Sequence, residues 1–283
     1  MRETPPFLFS LDLEDVRTMI PGGERYAERV PLLVARYAEL LARHGLHCTI
    51  FTVGDIARRY PFLVRDLAAA GHEIACHGSH HVPLARLDPA AFRSDLRRNL
   101  DELAATGAGP VSGFRAPMYS LTPGTAWAWE VLAEQGLRYS SSVLPARHPL
   151  HGWPGHARGA TRTASGVWEI PFSLAGLPGL DLPFAGGVYL RVLPFALVRA
   201  CFRRELARGR AVVGYAHPFD IDVEQERFVH PELGGRRLYH ELMYWNRRGM
   251  LGRIERLLTS GARVIRYDDY VAELSGGERS RAA

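Results

Sequence analysis

The chain has 283 residues, of which 47% are hydrophobic and 23% charged, so it can bury a sizeable core and is not a disordered or fibrous sequence. Its 35 basic residues against 30 acidic ones give a net charge of +5, and every basic residue is Arg. The absence of Lys excludes Schiff-base chemistry and a Lys-terminated phosphate loop, while the interspersed charges exclude a nucleic-acid stripe.

Strand-length apolar runs alternate with segments of helical period, the pattern of βα units on a parallel sheet. Residues 7–11 read as the first strand, and residues 24–44 as a helix with apolar side chains at helical spacing, closed by Gly45. A strand at 48–53 precedes a helix at 56–70 that Pro61 kinks or restarts, and a short strand follows at 73–76. Asp88-Pro89 and Thr122-Pro123 are both caps followed by proline at the first helical position; they open helices ending near residues 106 and 136. Strands at 111–114 and 137–143 follow these signals, and residues 144–166 form a long Gly/Pro/His/Arg-rich loop. Then come a strand at 167–171, a Gly/Pro-rich excursion to 187, a helix at 195–208 and a strand at 211–216. A helix at 239–260, a strand at 263–267 and a short helix from 268 complete the pattern. The expectation is an α/β fold: a single distorted (β/α)7 barrel of parallel strands over residues 1–275, with 276–283 as a disordered tail.

Cys48, Cys76 and Cys201 are far apart, odd in number and set in apolar stretches, which suits buried free thiols in a reducing compartment. No apolar run approaches the roughly 18 residues of a membrane span. The first ten residues carry an acid and no adequate apolar signal region, so the expected location is the cytoplasm.

Chemistry-bearing residues fall just after the predicted strands: Asp12, Glu14 and Asp15; His77 and His81; Arg115; and His217. In a parallel barrel these ends converge on the C-terminal rim, where active sites sit. Taken singly, each reads as a turn cap or a solvated loop residue; the joint placement does not. His77 and His81 can face one way if their segment turns, and a nearby carboxylate would complete three ligands with a fourth position open, the arrangement of catalytic zinc. His72 and His77 superficially suggest a zinc-protease helix, but they are five apart rather than four, and His72 reads as structural. Three adjacent acids after a buried strand need a cation or an Arg, and a metal together with Arg115 supplies both.

Four motifs stand in order: Ser-Leu-Asp12-Leu-Glu14-Asp15, His-Glu-Ile-Ala-Cys-His77-Gly-Ser-His-His81, Gly-Phe-Arg115-Ala-Pro117-Met118-Tyr119-Ser, and Tyr-Ala-His217-Pro-Phe-Asp-Ile-Asp. This set resembles the polysaccharide deacetylases, carbohydrate esterase family four with the NodB-homology domain. Residues 139–145 and 186–194 further resemble the branch found in bacterial exopolysaccharide loci. The resemblance implies a distorted (β/α)7 barrel that removes N-acetyl groups from amino sugars. It would make His77 and His81 metal ligands, Asp12 the general base, Arg115 its orienting partner and His217 the general acid. The expected ion is divalent, Zn2+ first, with Co2+ or Ni2+ as alternatives.

Three departures stand out. The family's two adjacent aspartates are replaced by Asp12-Leu13-Glu14-Asp15, where the spacing favours Glu14 as the third ligand with Asp15 as rival. Met118 follows Pro117 where Tyr is usual, and Tyr119 comes one later; a backbone N–H there would still hold an oxyanion. Ser140 stands where an Asp is common, so any charge partner that Asp supplies is missing or replaced. Pro117, Met118, Tyr119 and the loop residue Trp153 are the candidate substrate contacts, whereas Trp127 and Trp129 read as core or interface. The functional expectation is metal-dependent hydrolysis of an N-acetyl group on an amino sugar of a polysaccharide or its precursor. The alternatives are another small, lipid-linked or nucleotide-linked amide, a non-catalytic sugar-binding barrel, and a two-carboxylate glycosidase.

Overall fold

An unbroken apolar run is what a strand covered on both faces requires, and residues 6–13 form such a strand, β1 (Pro6–Leu13), with every side chain buried. The computed structural model describes residues 4–175, 181–229 and 237–282. Parallel pairing runs from β1 through β2 (Thr49–Thr52), β3 (Glu73–Cys76), β4 (Gly113–Phe114) and β5 (Tyr139–Ser140). A short β6 (Thr161–Arg162) lies antiparallel to β7 (Trp168–Glu169), which pairs in parallel with β5. On the other side of β1 are β8 (Val212–Ala216) and, at its N-terminal end, β9 (Arg263–Val264), both parallel.

The gap between β7 and β8 is spanned without a full ladder. Phe172 N–H donates to Val143 O at 2.9 Å, Leu174 bridges Pro183, and Gly186 bridges Tyr215 of β8. The close approach depends on glycine, since a Cβ on Gly186 would lie 2.3 Å from the Tyr215 ring. The result is a curled, mostly parallel half-barrel with its open side bridged, which matches the expected distorted (β/α)7 architecture.

Helices cover the outer face: α1 (Val30–Arg43), α2 (Gly54–Arg59), α3 (Pro61–Ala69), α4 (Pro89–Ala105), α5 (Ala128–Glu134), α6 (Gly187–Val192) and α7 (Phe195–Ala207). The remaining three are α8 (Arg237–Tyr244), α9 (Arg247–Leu258) and α10 (Tyr267–Ala282). Asp88 caps α4 as its sequence signal implies, its carboxylate accepting from Ala91 N–H at 2.8 Å. Of the two expected effects of Pro61 the structure shows the restart, a separate helix beginning at its ring, which removes the N–H that continuity would need. The structure differs from the sequence expectations elsewhere. The expected helix at 239–260 is broken at Asn246, which sits at φ 54°, and α6 is an addition. The expected strand at 263–267 ends at Val264, since Thr49 and Glu73 side chains cap the Tyr267 and Asp268 N–H groups and start α10 there. Where a disordered tail is expected over 276–283, the α10 backbone stays helical to Ala282. Residues 176–180 of the predicted excursion lie outside the described residues. Among the described residues no helix is long and apolar enough to cross a membrane.

Candidate metal and acid-base site

The C-terminal ends of β1, β3, β4 and β8 bring Asp12, Glu14, His77, Arg115 and His217 to one rim. His77 leaves β3 with its Nδ1 2.8 Å from Arg115 O. A carbonyl cannot donate, so Nδ1 carries the proton and Nε2 presents a lone pair; this is how a ligating imidazole is oriented. The segment then reverses through left-handed residues, Gly78 at φ 77° and His81 at φ 54°, rather than through the helical loop the spacing suggests. Two carboxylates hold it: Ser79 N–H donates to Asp95 Oδ2 at 3.0 Å and Ser79 Oγ to Glu102 Oε2 at 2.9 Å. The His77 and His81 rings stand 5.0 Å apart, edge to face, while His80 is exposed and pairs with Asp55.

Glu14 faces this pair. Its Oε2 lies 2.7 Å from His81 Nε2 and 3.7 Å from His77 Nε2, and the three ligand atoms are within 4.8 Å of one another. Burial works against the Glu14 charge, but the neighbouring His81, His217 and His77 imidazoles outweigh it and hold its carboxyl well below the usual range. Oε2 is buried without a well-formed hydrogen bond despite this company. One anionic oxygen and two imidazole nitrogens converging on one point fit a divalent ion of the zinc type. Asp15 does not join them. Arg17 holds it at 2.6 Å and Arg59 at 3.1 Å, and it caps the 3-10 turn Val16–Met19, so of the two rival ligands only Glu14 is at the cluster.

Arg115 is fully buried and all five of its N–H donors are used. Nη1 donates to Asp12 Oδ1 at 2.5 Å and Ser10 Oγ at 2.7 Å; Nη2 to Ser141 Oγ at 3.1 Å and Tyr267 OH at 2.8 Å; Nε to Ser141 O at 3.2 Å. The guanidinium lies 4.0 Å from the Phe51 ring centroid. Burial opposes its charge, yet Asp12 more than compensates and the Arg115 pKa is raised. With Oδ1 pinned, the other Asp12 oxygen is turned toward the histidines, 4.0 Å from His77 Nε2.

His217 Nε2 stands 3.8 Å from Glu14 Oε1. Its Nδ1 and backbone N–H both donate to Asp220 Oδ2, each at 2.9 Å, and its ring stacks on Phe219 at 4.5 Å. Burial alone would lower the His217 pKa, but Asp220, Glu14 and Asp12 lift it to about 9. Asp220 is itself depressed: burial is outweighed by Arg191, whose Nε donates to Oδ1 at 2.8 Å, and by His217. Asp220 is thus both cap and charge partner of His217, and the Ser140 hydroxyl donates to Ser142 Oγ at 2.8 Å.

Pro117 opens a 3-10 turn in which Met118 (φ 58°) and Tyr119 (φ 52°) are left-handed, each costing on the order of 1–3 kcal/mol. Tyr119 N–H donates to Ala116 O, while no described residue accepts from Met118 N–H. The Tyr119 ring is buried between Phe172 and Tyr215 instead of forming a sugar-facing surface. Trp153 is likewise no open platform, being stacked on Trp129 at 5.5 Å and packed against His156. His72 accepts from Cys48 N–H at the N-terminal end of β2, the structural role its spacing suggests. The partners that sequence reasoning misses are Ser10, Ser141, Tyr267 and Arg191; Ser10 opens the first motif and Ser141 and Arg191 lie in the 139–145 and 186–194 segments, whereas Tyr267 carried no such signal.

Residues 28–140 match the polysaccharide deacetylase family profile, and residues 141–271 match a domain of unknown function, DUF3473. A chitooligosaccharide deacetylase of Bradyrhizobium is 28% identical over 103 residues, covering 36% of this chain and 45% of that protein. The matched part is therefore less than half of that curated relative. A Mycobacterium smegmatis protein, solved under a provisional assignment as a polysaccharide deacetylase, superposes with a TM-score of 0.63 at 21% identity, covering 98% of this chain and 93% of that one. The structure of Puue allantoinase gives a TM-score of 0.59 at 15% identity over 94% of this chain and 88% of its own. At these identities the structural likeness speaks to the fold alone.

Proposed function

From membership of the polysaccharide deacetylase family, which residues 28–140 carry, we propose that this protein is a metal-dependent hydrolase removing an N-acetyl group from an amino sugar of a polysaccharide or its precursor. The observation that carries the reading is that two different proton-handling groups lie at the Glu14–His77–His81 cluster, Asp12 4.0 Å from His77 and His217 3.8 Å from Glu14. A sugar-binding barrel has no use for both. A two-carboxylate glycosidase is disfavoured because Asp15 is taken up by Arg17 and Arg59.

Glu14, His77 and His81 would hold a divalent ion, Zn2+ by its donor set, and when bound it supplies Lewis acidity toward the acyl oxygen and the attacking water. Asp12, held through Oδ1 by Arg115, takes a proton from that water at its other oxygen. Met118 N–H, from which no described residue accepts, would donate to the oxygen that becomes negative as the water adds. His217, kept charged by Asp220, then delivers the proton from Nε2 to the departing amine. The Arg191–Asp220 pair orients His217 from behind and touches no reacting atom. Three buried unpaired thiols suit action in the cytoplasm, and the match to the exopolysaccharide-type second region supports a role in making such a polymer. The test is to incubate zinc-loaded protein with acetylated sugars, nucleotide sugars and N-acetylglucosamine oligomers and measure free acetate. Release from an amino sugar supports the reading; no release from any of them overturns it.

A further inference from the structure

We infer that Tyr267, the first residue of α10, is a positioning residue that fixes Arg115 against Asp12, so that the last helix of the chain completes the general-base half of the site. The inference rests on the deacetylase reading above and deepens it. Of the five acceptors that saturate Arg115, Asp12 and Ser10 come from β1, Ser141 supplies two from the end of β5, and Tyr267 alone comes from the C-terminal helix.

The ring is held as firmly as its hydroxyl. It stacks on Tyr139 at 5.6 Å with 20° between planes, meets Phe51 edge-on at 5.3 Å, and is completely buried. Its backbone is set from the opposite end of the barrel: Tyr267 N–H donates to Thr49 Oγ1 at 2.9 Å and Asp268 N–H to Glu73 Oε2 at 3.1 Å. Glu73 accepts in turn from Tyr139 OH at 2.7 Å. The N-terminal ends of β2, β3 and β5 thereby dock the helix start, and the phenol reaches through the barrel interior to the guanidinium. Without that acceptor one Nη2 proton has no partner, and the guanidinium gains a rotation that swings Nη1 off Asp12.

The experiment is a double-mutant cycle of Tyr267→Phe and Arg115→Lys in the zinc-loaded enzyme, read as kcat and KM on an N-acetylglucosamine oligomer, with side-chain NMR of the 15N-labelled protein alongside. Phenylalanine keeps both ring contacts, and lysine keeps the charge beside Asp12 but cannot reach Tyr267 at the same time. We expect Y267F to lower kcat about 10-fold with KM within about twofold, as loss of one hydrogen bond to a charged group implies. In the R115K background it should cost nothing further. The slowly rotating guanidinium signals of Arg115, identified by their loss in R115K, should disappear in Y267F. A Y267F effect of equal size in both backgrounds, or unchanged Arg115 signals, overturns the inference. An inactive wild type whose Arg115 signals vanish in Y267F leaves the fixing role intact and removes the deacetylase reading instead.

Discussion

Replacing Asp220 by Asn removes the anion to which His217 Nδ1 donates at 2.9 Å while keeping the size of the side chain. Burial pulls the His217 pKa down, and Asp220 is the foremost of the groups that raise it from 6.5 to about 9. Losing most of that rise means a fall of about 2 pH units, or about 3 kcal/mol at 1.36 kcal/mol per unit. A dication on Glu14 lowers the His217 value in both proteins, so the difference between them is the quantity to read. The sign follows from the acid role. The active imidazolium is present below the folded-state pKa and lost as pH rises through it, so the alkaline limb of kcat/KM moves to lower pH in the variant. The change also leaves Arg191 buried beside a neutral amide, with its Nη1 still bonded to Leu242 O and Trp245 O, so some stability is lost as well. Rates should therefore be taken well below the variant's melting temperature, by acetate release across the pH range. An alkaline limb within about 0.3 unit of wild type would refute the acid assignment of His217 and its dependence on Asp220.

His77→Ala and His81→Ala should each reduce bound metal and activity together, and Glu14→Gln should weaken metal binding far more than Asp15→Asn; dialysis with metal analysis checks both, and the reverse carboxylate ranking would return the ligand role to Asp15. Glu73 is buried, which with the nearby Asp268 charge raises its pKa to about 7 from 4.5 despite bonds from Thr49, Tyr139 and Asp268 N–H. The folded state therefore holds the proton more tightly, and this contribution to stability is full below about pH 4.5 and lost by about pH 7, up to about 3 kcal/mol. Urea unfolding of wild type and Glu73→Gln should show that slope in the difference between them, and parallel curves would contradict it. Trp153→Ala should lower the melting temperature with KM within about twofold, because its ring packs on Trp129; a large rise in KM at constant stability would make it a sugar contact.

The order of elements and the rim on which the chemistry gathers were legible because both rest on local signals: fully apolar strands, cap-proline pairs, and polar residues directly following strands. Glu14 and His81 could be named as cluster members because the motif spacing placed them on one rim. The spacing favoured Glu14 over Asp15, but what removes Asp15 from the cluster was not legible. It depends on Arg17 and Arg59, which come from a neighbouring turn and from α2 and claim Asp15 first. Tyr267 was hidden for a similar reason. It reads as the end of a strand, and only Thr49 and Glu73, some 200 residues away in sequence, turn it into a helix start. Trp153 looked like a platform from its loop position, but the loop folds back so that its half-buried ring stacks on Trp129, and nothing in the local sequence shows that return. Asp220 was visible as a cap, yet its second role needed the buried partner Arg191 from α6, a helix without cap signals of its own.

The account's central claim is that one divalent ion on Glu14, His77 and His81 works with Asp12 to hydrolyse an N-acetyl group. Titrating metal-free protein with Zn2+ while recording acetate release from an N-acetylglucosamine oligomer, for wild type and Asp12→Asn side by side, tests it most directly. Wild-type activity should rise from nothing and level off at one equivalent, and Asp12→Asn should bind the same single equivalent with kcat lower by about 10²–10⁴. Full acetate release without metal, or an Asp12→Asn protein that turns over at the wild-type rate, would contradict it.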